Sequence, residues 1–283
     1  MHPFAYCVPH FLEAMIDTRS EIIKWSSWMT EDFVKDDNTI PMKTWKPLDS
    51  RANGSKVMLD SKLKIGRKHI YHLLPWPYAK KIIENCRLRL SPVRSWTDPY
   101  ERWCSENLFC TSTKFSGLQA YGLCWTLGTY DEPRWRMAAF RRRDPIVRIR
   151  CNVQAILASA KKAIQAQSGS LYLGKVLYRR ENELMRAANL PREVKLESDV
   201  LASLLLQKRN AFKFEKEVRL LWFDQETHQK KAVYIDINPA KKISQIMTSP
   251  YAAQSEHLEI KAFAEAAGIK AIQSGILNFP RTK

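Results

Sequence analysis

The residues of this chain best suited by type and spacing to chemistry lie in AFKFEKEVRLLWF, residues 211–223. Read as a strand, alternation puts Phe214, Val218, Leu220 and Trp222 on one face and Glu215, Glu217 and Arg219 on the other. Leu221 and Phe223 continue that second face as apolar, so the charges sit on a strand buried on both sides at its far end. A buried carboxylate has to be paired or used. The ordinary alternative is an edge strand with a Glu217–Arg219 or Glu215–Lys213 surface pair, which is worth little. Glu215 and Arg219 fit that alternative better than Glu217 does.

Three other groups stand out. In HIYHLL, alternation places Tyr71 with Leu73 on one face and His72 with Ile70 and Leu74 on the other. An inward histidine is more often a satisfied core residue than a functional group. In SPVRSWTDPYER, Ser91, Asp98 and Tyr100 cluster by a turn whose plain reading is capping chemistry. The segment PRWRMAAFRRRDPIVRIR, residues 133–150, holds seven arginines and one aspartate. Guanidinium forks suit phosphates, and aromatic rings among them can stack on bases. Arg134, Trp135, Arg136, Arg141, Arg142 and Arg143, with Phe140, are therefore the candidate nucleic-acid-binding residues, against the plainer reading of solvated arginines with the aromatics in the core.

Several chemistries lack their signatures. There is no Walker loop, dinucleotide fingerprint or G-x-S-x-G elbow. The histidine and cysteine spacings do not match a zinc site, and no metal centre is expected. Six cysteines without a C-x-x-C pair point to reduced thiols in a cytoplasm. The first residues lack the pattern of a secretory signal and no run is apolar enough to span a membrane, so a soluble cytoplasmic protein is expected. The 46 lysines and arginines outnumber 29 acidic residues, giving a formal charge of +17 that favours an anionic partner, nucleic acid first.

The elements that must position these residues alternate from Lys64 onward. KHIYHLL reads as a strand, PWPYAKKIIENC as a helix with Tyr78, Ile82, Ile83 and Cys86 on one face, and RLRLSP as a second strand. LFCTSTKF, YGLCWTLG, PIVRIRC and GKVLYR are further candidate strands, and NVQAILASAKKAIQAQ is an amphipathic helix. Residues 194–209 predict another helix. AVYIDINP and KISQIMTS follow as strands, then the helix in SEHLEIKAFAEAAG capped by Gly268, and finally IKAIQSGI. Residues 1–63, with scattered tryptophans, read as an N-terminal extension, helical in character, and 64–283 as the main domain. An α+β fold with a split or bent mixed β-sheet and flanking helices fits this order.

The order of these pieces resembles a bacterial domain family of formerly unknown function. Its members carry an Asn-Asp-Pro-aromatic-Glu turn, a Cys-Phe-Ser strand, a Met-Trp segment and a Lys…Trp-x-Tyr-Glu-x-Glu-x-Arg strand. The likeness spans roughly residues 64–278 and departs from the pattern at Thr97, Trp125, Thr126, Phe212 and Phe214. That family looks like a distant relative of the ADP-ribosyltransferases, several of which are toxins or phage-defence effectors. The resemblance implies an ADP-ribosyltransferase-like fold, NAD as substrate, and nucleic acid or protein as acceptor, with an antitoxin or regulatory protein as a further partner. Carried over by position, it implies His72 holding ribose hydroxyls, then Ser91 or Tyr100, the latter stacking on nicotinamide, and Glu217 stabilising the ribosyl cation. Tyr71, Ser91, Asp98, Glu215 and Arg219 join them as NAD-binding residues. The runner-up is a nucleic-acid-binding or nuclease-like effector without NAD chemistry, with Asp98, Glu101 and Glu217 as its metal candidates. A third reading is an interaction protein with a dead site, its N-terminal tryptophans contacting a partner.

Overall fold

The computed structural model describes residues 43–50, 55–63, 69–110, 119–128, 132–140, 143–166, 169–188, 198–224 and 230–277. Their centre is one large mixed sheet whose main path runs β1-β2-β7-β10-β5-β3-β6-β12-β13, with β4 and β11 branching from β5. The strands are β1 Trp45–Ser50, β2 Lys56–Asp60, β3 His69–Pro75, β4 Arg87–Pro92, β5 Gln119–Thr126, β6 Ile146–Asn152, β7 Ser170–Lys175, β8 Leu177–Arg179, β9 Gln207–Arg209, β10 Glu217–Asp224, β11 Val233–Asp236, β12 Ile243–Thr248 and β13 Ala271–Gln273. Strands β8 and β9 form a separate parallel pair. The helices are α1 Trp76–Glu84, α2 Pro99–Cys110, α3 Glu132–Ala139, α4 Val153–Ala166, α5 Glu181–Ala188, α6 Ser198–Leu205, α7 Pro239–Lys242 and α8 Gln254–Ala266.

Alternation sorts the apolar residues into two layers, as it must when both faces of a sheet are covered. On one face Ile70, Leu74, Trp125, Ile149, Leu171, Val218, Leu220 and Trp222 pack with residues of α1, α4 and α8. On the other, Tyr172, Leu221 and Phe223 pack with residues of α2, α5 and α6. Every residue of β10 is buried, which agrees with the strand's expected burial on both sides.

The central strand β5 is paired with β10 along its whole length, from Gln119 to Thr126. Its other edge is shared. β4 takes Tyr121 and Gly122, and β3 takes only Thr126. Between these two contacts β3 and β4 diverge, so the sheet is split there, with α1 joining the two diverging strands. The close packing of this region needs a glycine. A Cβ on Gly122 would sit 2.3 Å from Trp96 Cζ2, well inside contact distance.

Several expectations change. Residues 45–50 and 56–60, expected within a helical extension, form strands β1 and β2, and β2 joins the sheet parallel to β7. Residues 1–42 lie outside the described residues. LFCTSTKF is not a strand at its start, because α2 continues to Cys110, while 111–118 lie outside the described residues. The helix expected over 194–209 spans Ser198–Leu205 and gives way to β9, so Lys208 lies on a strand. In α1 the buried residues are Trp76, Ala79 and Ile83, and Cys86 is exposed at a positive φ just beyond the helix. Among the described residues, no helix is long and apolar enough to cross a membrane.

Candidate functional site

The segment 211–223 is not one strand. Asn210–Glu215 forms a 3-10 turn, Lys216 adopts a left-handed conformation with φ 46°, and β10 begins at Glu217. The kink is held at the Glu215 carbonyl, which accepts from Thr126 Oγ1 at 2.7 Å and from the Arg134 guanidinium. Thr126 Oγ1 in turn accepts from the Gly128 amide at 2.9 Å. Phe214, expected in line with Val218, is left exposed on the turn. The change of direction lets Glu215 and Glu217 approach the same ammonium group: Lys208 Nζ lies 2.6 Å from Glu215 Oε2 and 3.2 Å from Glu217 Oε1.

Arg219 completes the network. Its Nε donates to Glu217 Oε2 at 2.8 Å, one terminal nitrogen donates to the Leu205 carbonyl at 2.7 Å, and the other to Glu101. Lys208 stands 4.0 Å from Glu101 as well. These side chains are almost fully buried, so Glu215 and Arg219 are core charges and not surface pairs. Two cations thus face three carboxylates, leaving one negative charge in excess. Burial raises all three carboxyls, and the partners decide which of them stay ionised. Burial is opposed at Glu217 by Arg219 and Lys208, which hold its carboxyl well below the usual range. At Glu215, burial and then the neighbouring Glu217 charge push the carboxyl up to about 8. Burial also raises Glu101, against the pull of Arg219. A proton on Glu215 balances the charge and offers a donor to Glu217, which accounts for Glu215 Oε1 having no other hydrogen-bond partner.

The register places Glu217 opposite Thr126, and Thr126 opposite Tyr71. Directly opposed residues of antiparallel strands point to the same face. Glu217, Thr126 and Tyr71 therefore form a row across β10, β5 and β3, continued by Arg150 on β6. Arg148 shares that face and stacks its guanidinium 4.7 Å from the Tyr71 ring centre. The Glu217 amide donates to Tyr178 Oη at 2.8 Å.

His72 does not join this row. It is on the opposite face with Ile70 and Leu74, its ring 5.5 Å from that of Trp125 and hydrogen-bonded to the backbone of Cys124 at the split. Burial lowers its pKa to about 4, so the imidazole is neutral. The expected pairing of His72 with Glu217 across one ligand is thus corrected: the strand's other parity, Tyr71, shares the glutamate's face. Tyr100 is also relocated. It is 2 % exposed in the core layer with Trp96 and Cys104, and a ring so enclosed has no open face for nicotinamide. Asp98 caps α2, with its Oδ1 accepting from the Tyr100 and Glu101 amides and Oδ2 facing Arg209 at 3.4 Å. Its capping reading therefore holds. The metal candidates Asp98, Glu101 and Glu217 are interleaved with cations, and among the described residues no cluster of histidine, cysteine or acidic residues suits a metal ion.

Ser91 and His72 do come together, in a cleft of about 190 Å³ at the split between β3 and β4. Its walls also carry Lys81, Arg87, Arg89, Tyr78, Trp96 and Tyr234, and none of its lining residues is acidic. Trp96 links the two regions, since it lines the cleft while the Arg219 guanidinium lies 4.8 Å from its ring centre.

Two residues of the arginine-rich segment, Arg134 and Trp135, are turned away from their expected role. Trp135 is 2 % exposed and cannot stack on bases. Arg134 is spent on the Glu215 carbonyl, and Arg136 pairs with Glu132 at 2.7 Å. Arg143 and Phe140 are exposed, and Arg141 and Arg142 lie outside the described residues. Lys208, Thr126, Arg148 and Arg89 were missed as site residues. For Lys208 the available signal was the lysine of the motif containing Glu215 and Glu217. For the others none exists, because their proximity is set by strand register. The chain matches no protein-family model, and no curated protein is detectably similar to it.

Proposed function

We propose that the protein is an NAD-dependent ADP-ribosyltransferase, an effector with an anionic acceptor. The observation that carries this reading is the row Glu217–Thr126–Tyr71 on one face of the sheet, with an ionised, water-shielded carboxylate at one end and Arg148 stacked at the other. In such a reaction the bond from ribose C1′ to the pyridinium nitrogen breaks, its electron pair leaves with nicotinamide, and the acceptor attacks C1′. Positive charge develops on the ribose. A carboxylate prearranged in a dry site stabilises that charge more than water does. Glu217 has this role through the negative charge that it keeps beside Lys208 and Arg219. Tyr71 would meet the ribose hydroxyls and Arg148 the pyrophosphate. Glu215, once unprotonated, would take the acceptor's proton.

The test is release of nicotinamide, and transfer of label from NAD, with mixed RNA and DNA as acceptors. Wild type is expected to be active and Glu217→Gln to fall by about 10²–10³-fold, the usual loss for one preorganised electrostatic group, with near-UV circular dichroism confirming the fold. Absence of both release and transfer from folded wild type overturns the reading.

One observation favours a second reading: both Glu217 oxygens are already bound by buried cations. In a nucleic-acid-binding protein without NAD chemistry the network would be purely structural. Binding would then be salt-dependent, indifferent to NAD and retained by Glu217→Gln.

A further inference from the structure

The cleft at the split in the sheet has a chemical character that the row around Glu217 does not. Arg87 and Arg89 project from alternate positions of β4 to one face, about 6.6 Å apart along the strand, and Lys81 stands among the lining residues from α1. Successive phosphates of an extended strand have a similar separation. Arg89 is fixed by donating to Ser91 Oγ at 2.8 Å and to the Lys231 carbonyl, which engages two of its five N–H groups. Arg87 meets Asp236 at 2.9 Å in a solvent-exposed pair, a contact easily exchanged for phosphate. Tyr234 lies directly opposite Arg89 in the β4–β11 ladder and is 45 % exposed. The volume, about 190 Å³, is below the roughly 300–1,000 Å³ of sites that enclose a whole drug-sized ligand. It suits one base with its sugar and not a dinucleotide.

We propose that this cleft binds one unpaired nucleotide of a single-stranded nucleic acid, with flanking phosphates on Arg87 and Arg89 and Tyr234 stacking on a base. Aromatic faces beside a cationic track are the usual means of holding single strands without sequence preference. The cleft draws on both faces of the sheet at the split, since Ser91, Gly122 and Cys124 share the face of Thr126 and Glu217 by register while His72 and Leu74 belong to the other. As an assignment of the acceptor, the proposal rests on the transferase reading. As a statement about binding, it stands without it.

The experiment is fluorescence anisotropy with labelled 12-nucleotide poly-U and poly-dT, a duplex of the same length, and uridine monophosphate as competitor, all without NAD. Single strands are expected to bind more tightly than duplex, and the mononucleotide to compete weakly. The Arg87→Ala/Arg89→Ala protein should bind at least tenfold more weakly. It should also lose about 1.4 from the slope of log affinity against log salt, at roughly 0.7 per phosphate contact on a single strand. Tyr234→Ala should weaken binding about tenfold, whereas Arg136→Ala and Glu217→Gln should bind as wild type does. Equal affinity for duplex overturns the proposal. So does wild-type affinity in the double variant with unchanged melting, or binding of mononucleotide as tight as that of the 12-mer. In a parallel assay with labelled NAD, absence of transfer by wild type whose binding is intact would count against the transferase reading alone.

Discussion

Replacing Glu215 with glutamine tests the charge arithmetic of the buried network. Unfolded, this carboxyl ionises near 4.5, and in the fold it does so near 8, because burial and the Glu217 charge oppose ionisation. Between those values the folded state holds a proton the unfolded state has released, so stability is fully present below about pH 4.5 and falls as pH rises towards 8. At about 1.4 kcal/mol per pKa unit the displacement amounts to on the order of 3–5 kcal/mol. An amide cannot ionise, and it can still accept from Lys208 and donate to Glu217. Glu215→Gln is therefore expected to match wild type near pH 5 and to become more stable as pH rises, by on the order of 3–5 kcal/mol at pH 8.5. Urea unfolding followed by tryptophan fluorescence at pH 5.0, 7.0 and 8.5, at constant ionic strength, measures the gap. A gap that does not change with pH, or a variant more than about 1 kcal/mol less stable than wild type at pH 8.5, would show that the excess negative charge is not there. The same change at Glu217 works the other way. Its lowered pKa contributes stability above about pH 4.5 that disappears as pH falls, and removing it strands Lys208 and Arg219 at a cost of about 3–5 kcal/mol.

Three further outcomes follow from the packing. Trp135→Ala should cost about 3–5 kcal/mol in urea unfolding yet leave nucleic-acid affinity unchanged at a temperature where the variant is folded, because the ring is in the core. Gly122→Ala forces a Cβ into the Trp96 ring and should cost about 1–3 kcal/mol, with a changed near-UV circular dichroism spectrum. His72, lowered to about 4 by burial, should show no imidazole titration by NMR between pH 5.5 and 8, and a midpoint near 6.5 would mean that it is solvated.

Much of the fold was legible because it depends on local pattern. Alternation in IYHLL, IVRIRC and EVRLLWF placed β3, β6 and the body of β10, and Gly268 marked the end of α8 through its positive φ of 72°. Where the pattern failed, tertiary contacts had overridden it. Residues 45–50 and 56–60 became strands because they could pair with each other and with β7, and the helix expected to run to residue 209 ends at Leu205, with β9 paired to β8. The arginine-rich segment shows a further limit. Composition records how many cations there are, while helix rotation decides that Arg134 reaches the Glu215 carbonyl and Arg136 turns outward.

The sequence by itself determined that β10 would be buried on both sides and would carry charges needing partners, since hydrophobic alternation and the cost of burying a carboxylate are properties of neighbouring residues. It could not name the partners. Lys208 reaches Glu217 from another strand, Glu101 reaches Arg219 from a helix more than a hundred residues earlier in the chain, and Tyr71, not His72, shares the glutamate's face. Those choices follow from a one-residue parity, a left-handed kink at Lys216 and the split beside β5, which exist only once the strands have paired and the helices have closed over them.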